Sequence, residues 1–114
     1  MPYIKIQTNR TVNEELKEKL LLGASSLASG ILGKPERYVM TALEAEVPMT
    51  FAGTAEPCAF IECKSVGLPE SKTRELSAGL TGLVTEELDI LPDRVYIEFA
   101  DSRGSMWGWD GGTF

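Results

Sequence analysis

The sequence predicts an α+β fold, in which a duplicated βαβ unit forms a four-stranded mixed sheet with two helices on one face. The order strand, helix, strand is found in residues 2–47 and again in residues 59–100. The halves also match at an offset of half the chain, where Pro35-Glu36-Arg37 corresponds to Pro92-Asp93-Arg94. Because the chain has only 114 residues, we expect one domain, residues 1–114, with a single core.

The first half contains the patterns of a strand, a helix and a second strand. Pro2–Thr8 alternates apolar and polar residues, which is typical of a strand. Thr11 and Glu14 have the spacing of a capping box and predict the start of a helix, while Gly33 predicts its end. Arg37–Val47 is the second predicted strand. The apolar residues on one face of the helix are Val12, Leu16, Leu20, Ala24, Leu27, Ala28 and Ile31.

The second half repeats this order. Ala59–Ser65 and Arg94–Ala100 are predicted strands, and a helix is predicted to open near Pro69 between them. The apolar residues that mark this helix are Leu76, Leu80, Leu83, Val84 and Leu88. The tail, residues 105–114, is rich in glycine and aromatic residues. We expect a short hairpin that pairs with a neighbour or covers a sheet edge, and Trp107, Trp109 and Phe114 can also wall a pocket.

A sheet covered by helices on one side leaves its other face open. Several strand residues are too apolar for both faces to meet water: Ile4, Ile6, Cys58, Phe60, Tyr96 and Ile97. Packing of sheets from several subunits would cover the open face, so we expect an oligomer.

Composition excludes several classes of function. Hydrophobic residues make up 43% of the chain and charged residues 25%, as in ordinary globular domains. The net charge of −6, with scattered lysines, argues against nucleic acids and anionic membranes as partners. The chain has no histidine, which excludes Ser-His and Cys-His nucleophiles and His-ligated metals. We expect no metal and no cofactor, and an enzyme of this composition needs another base, such as a carboxylate or its own terminal amine.

The two cysteines and the N-terminal sequence are evidence on the cellular location of the protein. Cys58 and Cys63 are five positions apart in a predicted strand, so they point to opposite faces and should not pair. The N-terminus lacks the pattern of a signal peptide, and no apolar run reaches the roughly 18 residues of a membrane helix. We expect a cytoplasmic protein, with secretion by another route as the alternative.

Several segments, taken in order, resemble the macrophage migration inhibitory factor family, which includes D-dopachrome tautomerase and belongs to the tautomerase superfamily. The resemblance spans essentially the whole chain. It implies a homotrimer of βαββαβ subunits with an active site at each of three subunit boundaries. The segments that carry it are Met1-Pro2, Thr8-Asn9, Gly33-Lys34-Pro35 with Tyr38, Met49–Ala59, Ser65-Val66-Gly67, Pro92–Ile97, Gly108-Trp109 and Thr113-Phe114.

The resemblance implies that Pro2 is the catalytic base. Removing Met1 converts the nitrogen of Pro2 from an amide into a secondary amine, and an α-amino group titrates at about 7.7–8.0. An apolar pocket and a nearby Lys34 cation would both lower this pKa and leave a neutral base at physiological pH. The alternative is that Pro2 only begins a strand, where its missing N–H has no cost.

The resemblance also implies a set of substrate-binding residues. Lys34 corresponds to a carboxylate-binding lysine, although a lysine near a helix C-terminus can also serve only the helix dipole. Ser65 and Val66 correspond to pocket residues of the same subunit, and Val66 could offer its backbone N–H. Tyr96 and Trp109 correspond to walls from the neighbouring subunit. Tyr38 is a further candidate wall, and packing is the alternative for each aromatic residue.

The chain departs from the family pattern at several positions. Glu98 replaces an asparagine of the better-known members, so a negative charge would face the pocket, where it could repel a carboxylate, pair with Lys34 or alter substrate choice. Tyr3 and Trp107 replace smaller or more flexible residues and would narrow the entrance. Cys58–Ile61 lacks a second cysteine at the Cys-x-x-Cys spacing, which argues against thiol–disulfide chemistry.

The sequence therefore predicts a keto–enol tautomerase, an isomerase for phenylpyruvate-like keto acids or dopachrome-like quinones. Two alternatives remain. One is a cytokine-like protein that binds a cell-surface receptor and has a vestigial pocket. The other is a superfamily hydratase, decarboxylase or dehalogenase that uses Glu98 as an acid or to activate water.

Overall fold

The main strands are β1 (Tyr3–Thr8), β2 (Met40–Glu44), β3 (Ala59–Val66) and β4 (Val95–Ser102), in a computed structural model that describes residues 1–114. They form one sheet in the order β2-β1-β3-β4. The central strands β1 and β3 are antiparallel, while β2 is parallel to β1 and β4 is parallel to β3. The predicted four-stranded mixed sheet is confirmed, with one βαβ unit on each side of its centre.

The helices α1 (Glu14–Leu32) and α2 (Thr73–Leu88) pack on the same face of the sheet. Every second residue of β1 and β3 is buried against them, as expected for strands with one covered face. Neither helix is long and apolar enough to cross a membrane. The largest fully buried side chains of this core include Ile4, Ile6, Leu20, Ile61, Leu76 and Leu80.

The predicted capping box at Thr11 is wrong. Helix α1 begins at Glu14, and its N-cap is Asn13, whose Oδ1 accepts a hydrogen bond from the backbone N–H of Leu16 at 2.8 Å. Thr11 is exposed and lies two residues before the cap. Asparagine caps a helix as well as threonine does, so the residue next to the first turn supplies the acceptor.

The second predicted strand, Arg37–Val47, is also too long. A 3₁₀ turn at Glu36–Tyr38 follows Pro35 and delays the start of β2 to Met40. Glu46 has a left-handed backbone, with φ 57°, so the strand ends before it. A 3₁₀ turn at Pro92–Arg94 delays β4 in the same way. Each proline therefore starts a turn that delays the strand after it, although β4 extends past its predicted end to Ser102.

The open face of the sheet is less apolar than the sequence suggested. Ile4, Ile6 and Ile97 face the helices, whereas the open face carries a row of ion pairs. Lys5 lies 2.6 Å from Glu44 and 3.7 Å from Glu62, measured between nitrogen and carboxylate oxygen. Phe60 and Tyr96 lie on the open face as expected, but lysine and glutamate occupy the outward positions between them, which the sequence analysis did not anticipate.

The tail forms the predicted hairpin within one chain. Its strands are β5 (Gly108–Trp109) and β6 (Gly112–Thr113), paired antiparallel. Asp110 and Gly111 make the turn with φ of 50° and 76°, the left-handed geometry that a two-residue hairpin loop requires. The N–H of Phe114 then donates to the carbonyl of Trp107 at 3.2 Å, which fixes the end of the chain against the hairpin.

Both cysteines are buried free thiols. Cys63 lies in the core, and burial raises the pKa of its thiol to about 11. Cys58 precedes β3 rather than lying within it, and borders the open face beside Phe60. The two thiols therefore point to different sides of the sheet and do not pair, as predicted.

Candidate active site

Pro2 lies at the N-terminal end of β1, in the same row as the inward-facing residues of that strand. Its side chain is fully buried, and its carbonyl accepts a hydrogen bond from the N–H of Met40 at 3.0 Å. It lines a cavity of about 330 Å³ in which eight of the eleven lining residues are hydrophobic. This volume and lining are typical of a small-molecule site.

Three aromatic rings form one wall of this cavity. The ring centroids of Tyr38 and Trp109 are 5.5 Å apart, and those of Tyr38 and Phe114 are 5.9 Å apart, both nearly perpendicular. Trp109 and Phe114 stack at 5.3 Å. Trp109 therefore reaches the cavity of its own chain, which corrects the expectation that it comes from a neighbouring subunit. Tyr3 and Trp107 line the same cavity.

The N-terminal amine lies at this cavity. The amine of Met1 donates a hydrogen bond to the carbonyl of Tyr38 at 2.6 Å. Burial lowers the pKa of this amine from its ordinary value, and the cation of Lys34 lowers it further, because both disfavour the protonated form. A terminal amine in this position is thus biased towards its neutral, basic form.

Lys34 follows Gly33, whose left-handed backbone (φ 65°) ends α1. Its ammonium donates to the carbonyl of Val66 at the end of β3. Burial lowers the pKa of Lys34, and the carboxylate of Asp101 opposes that change. Lys34 does not line the Pro2 cavity in this chain, but its charge acts on the amine at the cavity's edge.

Ser65 and Val66 lie beside Lys34 rather than in the cavity wall. Ser65 is fully buried, and its hydroxyl donates to the carbonyl of Val66 at 3.2 Å. That carbonyl therefore accepts from both Ser65 and Lys34. Ser65 and Val66 therefore hold the ammonium of Lys34 at the turn between β3 and α2. The sequence pattern did not indicate this role.

Tyr96 and Glu98 lie on β4, on the open face of the sheet, and neither lines the Pro2 cavity of the same chain. Tyr96 is 64% exposed, and its ring packs against Phe51 at 4.7 Å. Glu98 is exposed and lies opposite Glu62 in the register of β3 and β4. Within one chain these two residues are separate from the site, so they could reach it only from another subunit.

Three further residues at or near the site were not predicted from the sequence. Arg37 and Met40 line the Pro2 cavity, and Asp101 accepts from the N–H of Leu68 at 2.7 Å while acting on Lys34. The signal available for Arg37 was its position next to Tyr38 in the sequence. Arg37 was instead assigned to the second predicted strand. No group of three or more acidic or cysteine side chains is placed to hold a metal ion.

The fold and the position of Pro2 define the class of protein. Two βαβ units in one mixed sheet, with an N-terminal proline at an apolar cavity, have the fold of the tautomerase superfamily. A homologue of macrophage migration inhibitory factor from Prochlorococcus marinus superposes with a TM-score of 0.93, is 43% identical and covers 98% of each chain.

Sequence similarity assigns the chain to one family within this superfamily. The sequence model described as Macrophage migration inhibitory factor (MIF) matches residues 1–114, so the chain belongs to the macrophage migration inhibitory factor family. The homolog from Trichuris trichiura is 38% identical over 115 residues, which cover 100% of both chains. The protein from Rattus norvegicus is 34% identical and covers 100% of this chain and 99% of its own.

Proposed function

We propose that this protein is a keto–enol tautomerase that uses Pro2, freed by removal of Met1, as its general base. The observation that carries the proposal is the position of Pro2 at an apolar, aromatic-walled cavity. The surroundings of the amine support it, because burial and the cation of Lys34 lower the pKa of the Met1 amine, and removal of Met1 would expose the amine of Pro2 at the same cavity. We propose phenylpyruvate-like keto acids or dopachrome-like quinones as substrates, since a flat ring suits the aromatic wall.

In the proposed reaction, the amine of Pro2 removes a proton from the carbon next to the keto group of the substrate. The carbon–hydrogen electron pair forms the carbon–carbon double bond, and the ketone oxygen becomes an enolate. The protonated amine then returns its proton to that oxygen, which gives the enol. The ammonium of Lys34 would bind the substrate carboxylate and favour the negative charge that develops beside it.

We also propose that the working unit is a homotrimer. Tyr96 and Glu98 lie on the open face and away from the cavity of their own chain. An assembly in which the open faces meet would bring them to the cavity of a neighbour. Exposed large side chains on this surface, such as Tyr96 and Met40, support an assembly because their burial would be favourable.

The test is the variant Pro2→Gly, with phenylpyruvate as substrate and Pro69→Gly as the matched control. Pro69 is exposed and lies at the turn before α2, away from the cavity. Intact mass first establishes that Met1 has been removed in each sample. We expect Pro2→Gly to lose about 10²-fold or more in kcat/KM, the scale of general-base catalysis, with the thermal unfolding transition preserved. Full activity in Pro2→Gly, or in protein that retains Met1, would refute the role of Pro2.

A second candidate is a protein that binds a cell-surface receptor after export without a signal peptide. The observation that favours it is the name of the relatives, macrophage migration inhibitory factor, which describes an effect on cells. Binding to receptor-bearing cells, compared between the native chain and Pro2→Gly, separates the two functions. Binding that persists while turnover is lost would place the two activities on different parts of the molecule.

A further inference from the structure

Arg37 places a positive charge at the Pro2 cavity. It is one of the eleven lining residues, and its guanidinium carbon lies 4.7 Å from the centre of the Tyr38 ring. Tyr38 is itself held by edge contacts with Trp109 and Phe114. Arg37 is exposed, and its contact with the Tyr38 ring places the guanidinium at the edge of the cavity.

No acid within the chain neutralises Arg37. The ion pairs of the chain involve five lysines and Arg10, but not Arg37. None of the eleven side chains that line the cavity is acidic. An arginine held at a mostly apolar cavity without a counter-ion leaves its hydrogen-bond donors available to an anion from solution.

Lys34 occupies a different place from Arg37. Its ammonium is directed to the carbonyl of Val66 and does not line the cavity, whereas Arg37 lies on the aromatic wall. A substrate whose carboxylate is bound by Lys34 would have to extend along the aromatic wall to place a second group beside Arg37.

We infer that Arg37 is a specificity residue that binds a second anionic group, so that the preferred substrate is a dianionic aromatic keto or enol acid. The inference rests on the proposed tautomerase function and names the class of its substrate. Arginine suits this role because its planar guanidinium can donate two hydrogen bonds to one carboxylate. The ring of Tyr38 beneath it would pack against the substrate's ring in the same arrangement.

The experiment compares phenylpyruvate with 4-carboxyphenylpyruvate, which differ by one charged group at the end of the ring. The measured quantity is the ratio of kcat/KM for the dianion to kcat/KM for the monoanion. We expect Arg37→Gln to lower this ratio about tenfold, the effect of one charge-assisted hydrogen bond. Arg37→Lys, which keeps the charge, should retain part of the preference. Arg74→Gln is the matched control and should leave the ratio unchanged, because Arg74 is exposed on α2 and forms no ion pair.

Two results would overturn the inference. If Arg37→Gln leaves kcat/KM unchanged for both substrates, Arg37 is a solvated surface charge. If it lowers kcat/KM equally for both, so that the ratio is unchanged, Arg37 acts on the shared carboxylate. Calorimetric binding of the same two compounds gives the ratio without turnover. A protein that binds the dianion more tightly through Arg37 but turns over neither compound would refute the tautomerase function alone. Equal affinities for the two compounds would refute the inference.

Discussion

The carbonyl of Val66 accepts a hydrogen bond from the ammonium of Lys34, and this contact sets the position of the cation near the N-terminal amine. The contact joins the end of α1 to the end of β3, two elements from different halves of the duplicated fold. The basicity of the terminal amine therefore depends on the packing of the two halves and not only on the residues next to it.

The first prediction concerns pH. In protein without Met1, kcat/KM should rise with pH as the amine deprotonates, with a midpoint below the ordinary value of 8.0. A cation lowers the pKa of an amine, so Lys34→Met should move the midpoint upwards while burial keeps part of the shift. Lys19→Met, on the exposed side of α1, is the control and should leave the midpoint in place. The measurement is a pH profile of phenylpyruvate turnover, and a midpoint above 8.0 in the native chain would contradict the prediction.

The second prediction concerns assembly. Light scattering should give about three times the 12.4 kDa mass of the chain. If Tyr96 acts on the cavity of a neighbour, Pro2→Gly and Tyr96→Ala subunits should each be weakly active alone. When the two variants are refolded together in equal amounts, about one quarter of the sites would combine both native residues and recover activity.

Absence of recovery in confirmed mixed trimers would show that Tyr96 does not act across the boundary. Refolding each variant by itself is the control for gains caused by the refolding step. A mass equal to that of one chain at micromolar concentration would contradict both the trimer and any shared site.

The third prediction concerns Glu98. Its carboxylate is exposed on β4, and in a trimer it would approach the substrate carboxylate of a neighbouring site. Repulsion between the Glu98 carboxylate and the substrate carboxylate weakens binding more than it slows the chemical step. Glu98→Asn should therefore lower KM for phenylpyruvate several-fold, with a smaller change in kcat. An uncharged ester of the same acid should respond far less. Glu86→Gln, on the exposed side of α2, is the control. Loss of turnover in Glu98→Asn would instead favour a hydratase or decarboxylase in which Glu98 is the acid.

The fourth prediction tests the start of α1. Asn13→Ala should reduce the free energy of unfolding by about 1 kcal/mol, because the N–H of Leu16 loses its acceptor. Thr11→Ala is the matched control and should have little effect, since Thr11 is exposed and forms no cap. Urea denaturation of both variants measures the difference. The opposite ranking would restore the capping box that the sequence suggested.

Periodic patterns predicted the elements of the fold well. The alternation in Pro2–Thr8 and the apolar face of α1 give strong signals, because each repeats over several turns or residue pairs. The ends of elements were less predictable. Thr11 and Asn13 are both good caps, and only the geometry of the first turn selects between them. Similarly, Pro35 is compatible with a strand or a turn, and the chain forms a turn.

The candidate site was predicted mainly through the resemblance to a family. Lys34 and Ser65 are distant in sequence and meet only because α1 and β3 pack together, which no local pattern reports. Arg94 illustrates the same point. It donates hydrogen bonds to the carbonyls of Phe51, Glu56 and Pro57. Two segments that carry the resemblance, Met49–Ala59 and Pro92–Ile97, are therefore one physical unit.

Both ends of the chain lie at the same cavity, since Met1 and Phe114 are among its lining residues. A purification tag or fluorescent protein joined to Met1 or Phe114 would therefore lie at this cavity. Site-specific labelling is better directed to the exposed outer side of α2. Because both native thiols are buried, a single cysteine introduced in place of Glu86 would accept a maleimide dye there and leave the cavity unobstructed.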